Sequence, residues 1–579
     1  MRIARFRTFF VATLFVVLGL AAASPSLGAP KQLPLTRTAP DGLTRALARG
    51  ELTQAQYALE RAVSLFHPAR VAARYGPVAR PNPHDATLIL RDLALRVRYL
   101  ESPVDQARAA AILARPTDNP DPNDPDNTYG ATAEATPLCG THVCVHYVTT
   151  SGNAVPSTDT TPANGIPDYV ESALNVFENE VWAQEVTGMG YRAPKSDLSS
   201  DNNGASSADA TGGKFDVYLV NLGDDHLYGY CTTDDPNFDN GSTYQFFDAS
   251  AYCAVDNDFS ASQFPTHTSL QNLQVTAAHE FFHAIQFAYD AADDQWFMEA
   301  TATWMEDEIY DNVNDNLQYL VDGPLGKPLT PLDKGATNAD PCCHVYGDWI
   351  FFRFLTEKFN SPALIRTIWN RADASEDTDG GGGPDGVGPD DFSIQAINRV
   401  LGSSGRGGFR SNFADFGWMN RIARVKGVYE EGHAKSYPQS PLTSSQNTLS
   451  HSHRSKSKSI VLKHQANAYY EFKRGSGLGS NAKLTLVFNL PSKSSGAAAS
   501  VLVFKKNGSI SPFTLGITSS GGGTFKIPFG STVSKVDVVL SNGSTRYKGA
   551  TCFSFSTPYA CGGAKSQDDG AAYKFTAKV

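Results

Sequence analysis

The sequence predicts an α+β protein. A domain with a mixed sheet lobe and an α-helical lobe is followed by an antiparallel β-sandwich. Three observations carry this. Residues 133–440 alternate strand-like runs with long apolar helical stretches. Inside them, Gln271 to Asp290 runs 20 residues with no glycine or proline, which favours an uninterrupted helix. Residues 459–579 read instead as short alternating runs, "KLTLVF", "SVLVF", "TFKIPF", "KVDVVL" and "CFSFS". Turns at Asn507-Gly508 and Asn542-Gly543 punctuate them. At 579 residues and a formal net charge of -10, the chain has room for two or three domains.

Taken in order, Met1 to Ala23 has Arg2, Arg5 and Arg7, an apolar run from Phe9 to Leu20, and three alanines before Ser24. This is the pattern of a secretory signal peptide over 1–23. It predicts a secreted, extracellular protein with no membrane span in its mature form. Residues 24–115 are helical in pattern. Asp41 is placed to cap one helix and a second runs from about Ala86 to Leu100. A small helical unit between signal peptide and linker predicts either a propeptide, making the chain a zymogen, or a structural N-terminal lobe. The linker, 116–132, contains "RPTDNPDPNDPDNTYG" less its first residue.

From Cys139 the pattern changes. "HVCVHYVTT" and "GKFDVYLVNL" read as strands, with a helix from Tyr169 to Gln184 between them. Before that helix, Asn164, Gly165, Asp168 and Glu171 fit the second half of a calcium-loop template. Thr160 and Pro162 fall where carboxylates belong and Asp159 is one residue out of register, so a turn before a helix is the alternative. A second acidic loop holds Asp377, Asp379 and Asp385. Strand-like runs in Ser242 to Val255 precede the long helix, where an edge strand can pair with an extended peptide. Eight cysteines in an exported chain favour disulfides. Local pairing predicts Cys139–Cys144, Cys231–Cys253 and Cys552–Cys561, and leaves Cys342 and Cys343 open.

The long helix carries the chemistry. His279 and His283 are four apart and share a face, so both can reach one metal ion. Glu280 adjoins the first of them, where a carboxylate can take a proton from a polarised water. This is the HExxH arrangement of zinc hydrolases. In "DDQWFMEATATWMEDEIY", Asp294 is placed to cap a second helix that carries Glu299 and Glu306 on one face. The 15 residues from Ala284 to Met298 allow that helix to turn back across the first. Glu299 can then be the third ligand, with Glu306 orienting a ligand histidine through its other ring nitrogen; a solvated helix face is the alternative for both.

With these residues in place, the motif plus "WFMEATATWME" resembles the gluzincin metallopeptidases, in particular secreted bacterial peptidases with a thermolysin-like core. Their second segment reads W-x-x-E-G-x-A-x-x-x-E. This chain keeps Trp296, Glu299, Ala302 and Glu306, has Ala300 at the glycine position, and spans a shorter connection. The resemblance covers about Cys139 to Pro438. It implies zinc as cofactor, a protein or peptide substrate, and Glu280 as general base. It also implies a downstream tyrosine that donates to the oxyanion. Tyr346, at the start of an apolar helix in "CCHVYGDWIFFRFLTEKF", is the candidate, with His344 beside it; a helix-capping role is the alternative.

The expected function is therefore a secreted zinc-dependent endopeptidase. One alternative is a catalytically inactive relative that binds a surface or polysaccharide; another keeps the metal and attacks a different bond. Past a linker at 441–458 the charge reverses. His451 to Val579 holds 17 lysines and arginines against 4 acids, whereas Pro116 to Ser450 holds 16 against 48. The tail is expected either to dock on the acidic lobe or to bind an anionic cell-surface polymer through lysines such as Lys456, Lys505, Lys506 and Lys548. His451 and His453 are read as linker histidines. No nucleic-acid partner is expected.

Overall fold

A computed structural model describes residues 41–78, 84–118, 128–197, 212–234, 248–335, 343–374, 391–546 and 567–579. The signal-peptide reading, the loop with Asp377, Asp379 and Asp385, and Lys548, Cys342, Cys552 and Cys561 lie outside these residues. Among the described residues no helix is long and apolar enough to cross a membrane.

The fold is mixed α and β, with one sheet in the first part and two in the last. Helices α1 (Gly42–Ala48), α2 (Gln54–Phe66), α3 (Pro68–Tyr75), α4 (Ala86–Ala94) and α5 (Pro103–Leu113) form the N-terminal unit. Asp41 caps α1 by accepting from Thr44 N at 2.7 Å. The first sheet contains β1 (Leu138–Cys139), β2 (Val143–His146), β3 (Phe215–Val220), β4 (Gly229–Thr232) and β5 (Tyr252–Asp256). Their order is β1-β2-β3-β5-β4, parallel from β2 through β3 to β5, with β1 and β4 antiparallel at the rims.

Both faces of this sheet are buried, which is why its strands read as near-continuous apolar runs. One face sends Val143, Val145, Val217, Leu219 and Val255 into the main core. The other sends Tyr218, Val220, Tyr230, Tyr252 and Ala254 against the N-terminal helices. Successive residues of a strand thus serve two cores. The expected edge strand is corrected here. β5 lies inside the sheet, so the rim strand is β4. Disulfides join Cys139 to Cys144 and Cys231 to Cys253, as local pairing predicts; Cys343 is bridged as well.

Helix α6 (Asp168–Leu174) continues as a π-helix over Asn175–Gly188. The partial calcium template ahead of it is a turn closed on itself. Asp168 accepts from Thr160 and Thr161, Asp159 from the amides of Asn164 and Gly165, and Asn164 donates to Glu171. Among the described residues the template's carboxylates are not one of the groups of three or more His, Cys, Asp or Glu whose ligand atoms lie within 4.8 Å of one another.

Helix α7 (Ser269–Asp290) starts at a capping box, in which Thr268 and Gln271 bond each other's backbone N–H. It is buried around almost its whole circumference, between the sheet and a helical lobe. That lobe comprises α8 (Gln295–Tyr310), α9 (His344–Gly347), α10 (Trp349–Phe359), α11 (Ala363–Arg371), α12 (Ser393–Ser403) and α13 (Gly408–Arg421). Asp294 does precede α8, but its carboxylate accepts from the Ser393 hydroxyl at 2.7 Å and caps no backbone amide.

The last part is a two-sheet sandwich. Its strands are β6 (Asn447–Leu449), β7 (Ser455–Val461), β8 (Ala466–Arg474), β9 (Lys483–Asn489), β10 (Ala497–Lys505), β11 (Ile510–Thr514), β12 (Gly522–Pro528), β13 (Val533–Asn542) and β14 (Ala572–Lys578). The sheets run β11-β10-β13-β8-β6 and β12-β9-β14-β7 around one core. Pairing is antiparallel except between β6 and β8, which are parallel. The Asn507-Gly508 turn joins β10 to β11 with Gly508 at φ 86°, where a glycine meets no steric penalty. β6 and β7 begin inside the stretch expected to be linker, and His451 and His453 sit exposed between them.

The sandwich docks on α13 through β10 and β13. Among the described residues the joint carries a mixed charge cluster, in which Lys535 of the tail pairs with Glu471 at 2.6 Å. Arg421 of α13 pairs with Asp537 at 2.8 Å and lies 3.7 Å from Glu471, so two of the tail's few acids face a lobe cation. His464 of the tail pairs with Asp333.

Candidate metal centre

The turn between α7 and α8 brings His279, His283 and Glu299 together. Their ligand atoms all lie within 4.8 Å of one another. The two Nε2 atoms are 3.1 Å apart, and Glu299 Oε2 stands 3.2 Å from His279 Nε2 and 3.5 Å from His283 Nε2. Nitrogen donors at zinc's usual 2.0–2.1 Å from a tetrahedral centre stand about 3.3 Å apart. The observed triangle fits that requirement. Glu299 Oε1 is buried and bonded to none of the described residues, a deficit that a cation removes.

The outer nitrogens are held as a metal site needs. His279 Nδ1 bonds Glu306 Oε1 at 2.7 Å, the role expected of Glu306. His283 Nδ1 bonds Gln286 Oε1 at 2.7 Å. Each bond suits a proton on Nδ1, the arrangement in which Nε2 would be left for a cation. Gln286 in turn donates to Met298 O and the Thr301 hydroxyl on α8, which locks the two helices at the site. Sequence reading missed Gln286. The available signal was an amide three residues past His283, the one amide side chain of α7 beyond the histidines, in the stretch Ala284–Ala288.

Glu280 lies beside this triangle and is 1% exposed. Burial raises its carboxyl pKa, against the opposing pull of both histidines and of a hydrogen bond from Thr87. Glu299 goes the other way. Burial would raise it, but hydrogen bonds and charge from the two histidines outweigh burial and bring it down to about 2. Two neighbouring carboxyls are thereby shifted in opposite directions.

Tyr346 is at the site, its ring centroid 6.0 Å from that of His279. Its hydroxyl donates to Asp85 Oδ1 at 2.8 Å. The ring nitrogens of His344 are bonded to Asp322 O and Pro331 O. Three residues of the N-terminal unit also reach the centre. The Thr87 hydroxyl donates to Glu280 Oε2 at 2.6 Å, Asp85 accepts the hydrogen bond of the Tyr346 hydroxyl, and the His84 ring stacks on Tyr228 and lies 6.2 Å from His279. No sequence signal points to them, since Thr87 is 193 residues from Glu280.

A second convergent group, Asp307, Asp311 and Glu431, is different in kind. Arg353 pairs with Asp307 and with Glu308, so a guanidinium already supplies the positive charge.

No protein family's sequence model matches the chain, and no curated protein does. Among solved structures, a family GH115 4-O-methyl-α-glucuronidase with specificity for decorated arabinogalactans aligns at 8% identity and a TM-score of 0.12. The match covers 54% of this chain and 38% of that one, and a likeness of that size carries no argument.

Proposed function

We propose that the chain is an exported zinc-dependent endopeptidase of the HExxH-plus-glutamate kind. The observation that carries the reading is the triangle of His279 Nε2, His283 Nε2 and Glu299 Oε2, its histidines oriented by Glu306 and Gln286. His279, His283 and Glu299 would hold the ion. Zinc, when bound, supplies Lewis acidity toward a carbonyl and acidifies water. Glu280 takes the proton of the attacking water and passes it to the departing amine. Tyr346, once its hydroxyl is released from Asp85, donates to the developing oxyanion. The signal-peptide pattern and the disulfides support export.

The test is metal analysis and casein digestion on the secreted protein, after its N-terminus has been sequenced. Zinc with cleavage supports an endopeptidase. Zinc without cleavage points to a hydrolase of another bond. Neither one leaves a non-catalytic binding protein, with the basic tail as its binding part.

A further inference from the structure

Resting on that reading of the centre, we infer that the N-terminal helical unit is a built-in plug. It fills the groove in which an extended peptide would lie along β4, and it must leave before Glu280 and Tyr346 can act.

Thr87, near the start of α4, makes two bonds at once. Its hydroxyl donates to Glu280 Oε2 at 2.6 Å, and its oxygen accepts from Cys231 N at 2.8 Å. Cys231 is on β4, the outermost strand on that side of the sheet. A peptide substrate adding to this rim would need that amide, and its hydrolysis would need that carboxylate. Asp85, two residues earlier, takes the hydroxyl of Tyr346. His84 fills the space between Tyr228, Tyr319 and Tyr346, with ring centroids at 4.6, 6.1 and 5.8 Å. One short stretch, 84–87, thus engages the base, the oxyanion donor and the strand edge.

The consequence is a closed site. Glu280 is 1% exposed, Glu299 0% and Tyr346 1%. No peptide reaches such a centre while α4 is in place. The unit is also pinned within α4 and just past α5. Arg91 donates to Asp293 O in the turn between α7 and α8, and Arg115 pairs with Asp197, Asp216 and Asp234. A merely structural lobe would account for the pinning and the shared core. It has no reason to bond three separate parts of the hydrolytic site.

The test uses the zinc-loaded full chain and a fluorescent peptide hydroxamate, with casein digestion alongside. Three forms are compared: the parent, an Asp85→Asn/Thr87→Val double variant, and the parent cut at a specific-protease sequence placed in linker 116–132. Thermal transitions confirm that each form is folded. The intact parent is expected to bind the hydroxamate at least tenfold more weakly than the double variant. The cut form is expected to gain binding on dilution, because the plug has become a separate molecule. Equal hydroxamate binding and equal digestion in all three forms would overturn the plug and leave the peptidase reading standing. Zinc retained with no hydroxamate binding in any form would also overturn it. Absence of zinc from all three would remove the metal centre itself, and the plug with it.

Discussion

At the scale of the residue, Glu280 and its neighbours make the sharpest predictions. Glu280→Gln keeps shape and burial but cannot take a proton. Peptidase activity of the processed protein should fall about a hundredfold to ten-thousandfold, with zinc content unchanged; undiminished activity would remove Glu280 from the mechanism. Glu299→Ala should lower zinc content as well as activity. If zinc stays stoichiometric by metal analysis, Glu306 becomes the next candidate for third ligand. Gln286→Ala frees the Nδ1 of His283 and should weaken zinc affinity about tenfold to a hundredfold in a chelator competition. The candidate ligands His279 and His283 were legible because HExxH is a local pattern on one helix. Glu299 was legible because its helix follows directly. Thr87 and Asp85 were not, because no local spacing reports a contact made across 193 or 261 residues.

At the scale of the element, α7 is a scaffold before it is a site. Phe281, between the two histidines, points toward the sheet, with its ring edge-on to Phe215 at 5.0 Å and tilted against Trp182 at 5.6 Å. Phe281→Ala should cost about 3–5 kcal/mol in a denaturant titration of the full chain. A loss below about 1 kcal/mol would mean that the helix is not held by that face. The alternating and apolar patterns located β2, β3, β9, β10, β12 and β13 in the sequence, because the period of side chains along a strand is local. They did not give strand order. β5 read as a rim strand although it is central, because a strand buried on both faces and a rim strand under a helix have the same apolar composition. The parallel pairing of β6 with β8 was hidden for the same reason, and β6 is only three residues long.

At the scale of the whole molecule, the opposed charges of lobe and tail predict that the tail docks on the lobe or binds an anionic polymer. Where the two meet, the groups engaged include the minority charges of each side, Arg421 of the lobe with Asp537 and Glu471 of the tail. Net charge describes the solvated surface and says little about which few groups are buried. His464 is one such group. Burial alone would lower its pKa, but the charge of Asp333 and hydrogen bonds with Asp333 and Asp569 outweigh burial and raise it from 6.5 to about 9. A folded-state pKa above the unfolded value contributes stability fully below about pH 6.5, and that contribution is lost as pH rises through about 9. The stability gap between the parent and His464→Gln should therefore narrow by roughly 3 kcal/mol between pH 6 and pH 10. A gap independent of pH, by denaturant titration at both values, would show that His464 carries no charge in the joint.

The N-terminal helices also cover the face of the sheet that carries Tyr218, Val220, Tyr230, Tyr252 and Ala254. This has a consequence in the time order of synthesis. Thr87 leaves the ribosome 193 residues ahead of Glu280, roughly 10–40 s earlier at ordinary elongation rates. The cover is therefore waiting when the strands emerge, and the sheet need never meet water on that side while it forms. Departure of the unit at a later stage would bare three tyrosines and two aliphatic side chains together. A chain stripped of its first helices should then be stickier than its precursor, and refolding it without them should be slower and less complete.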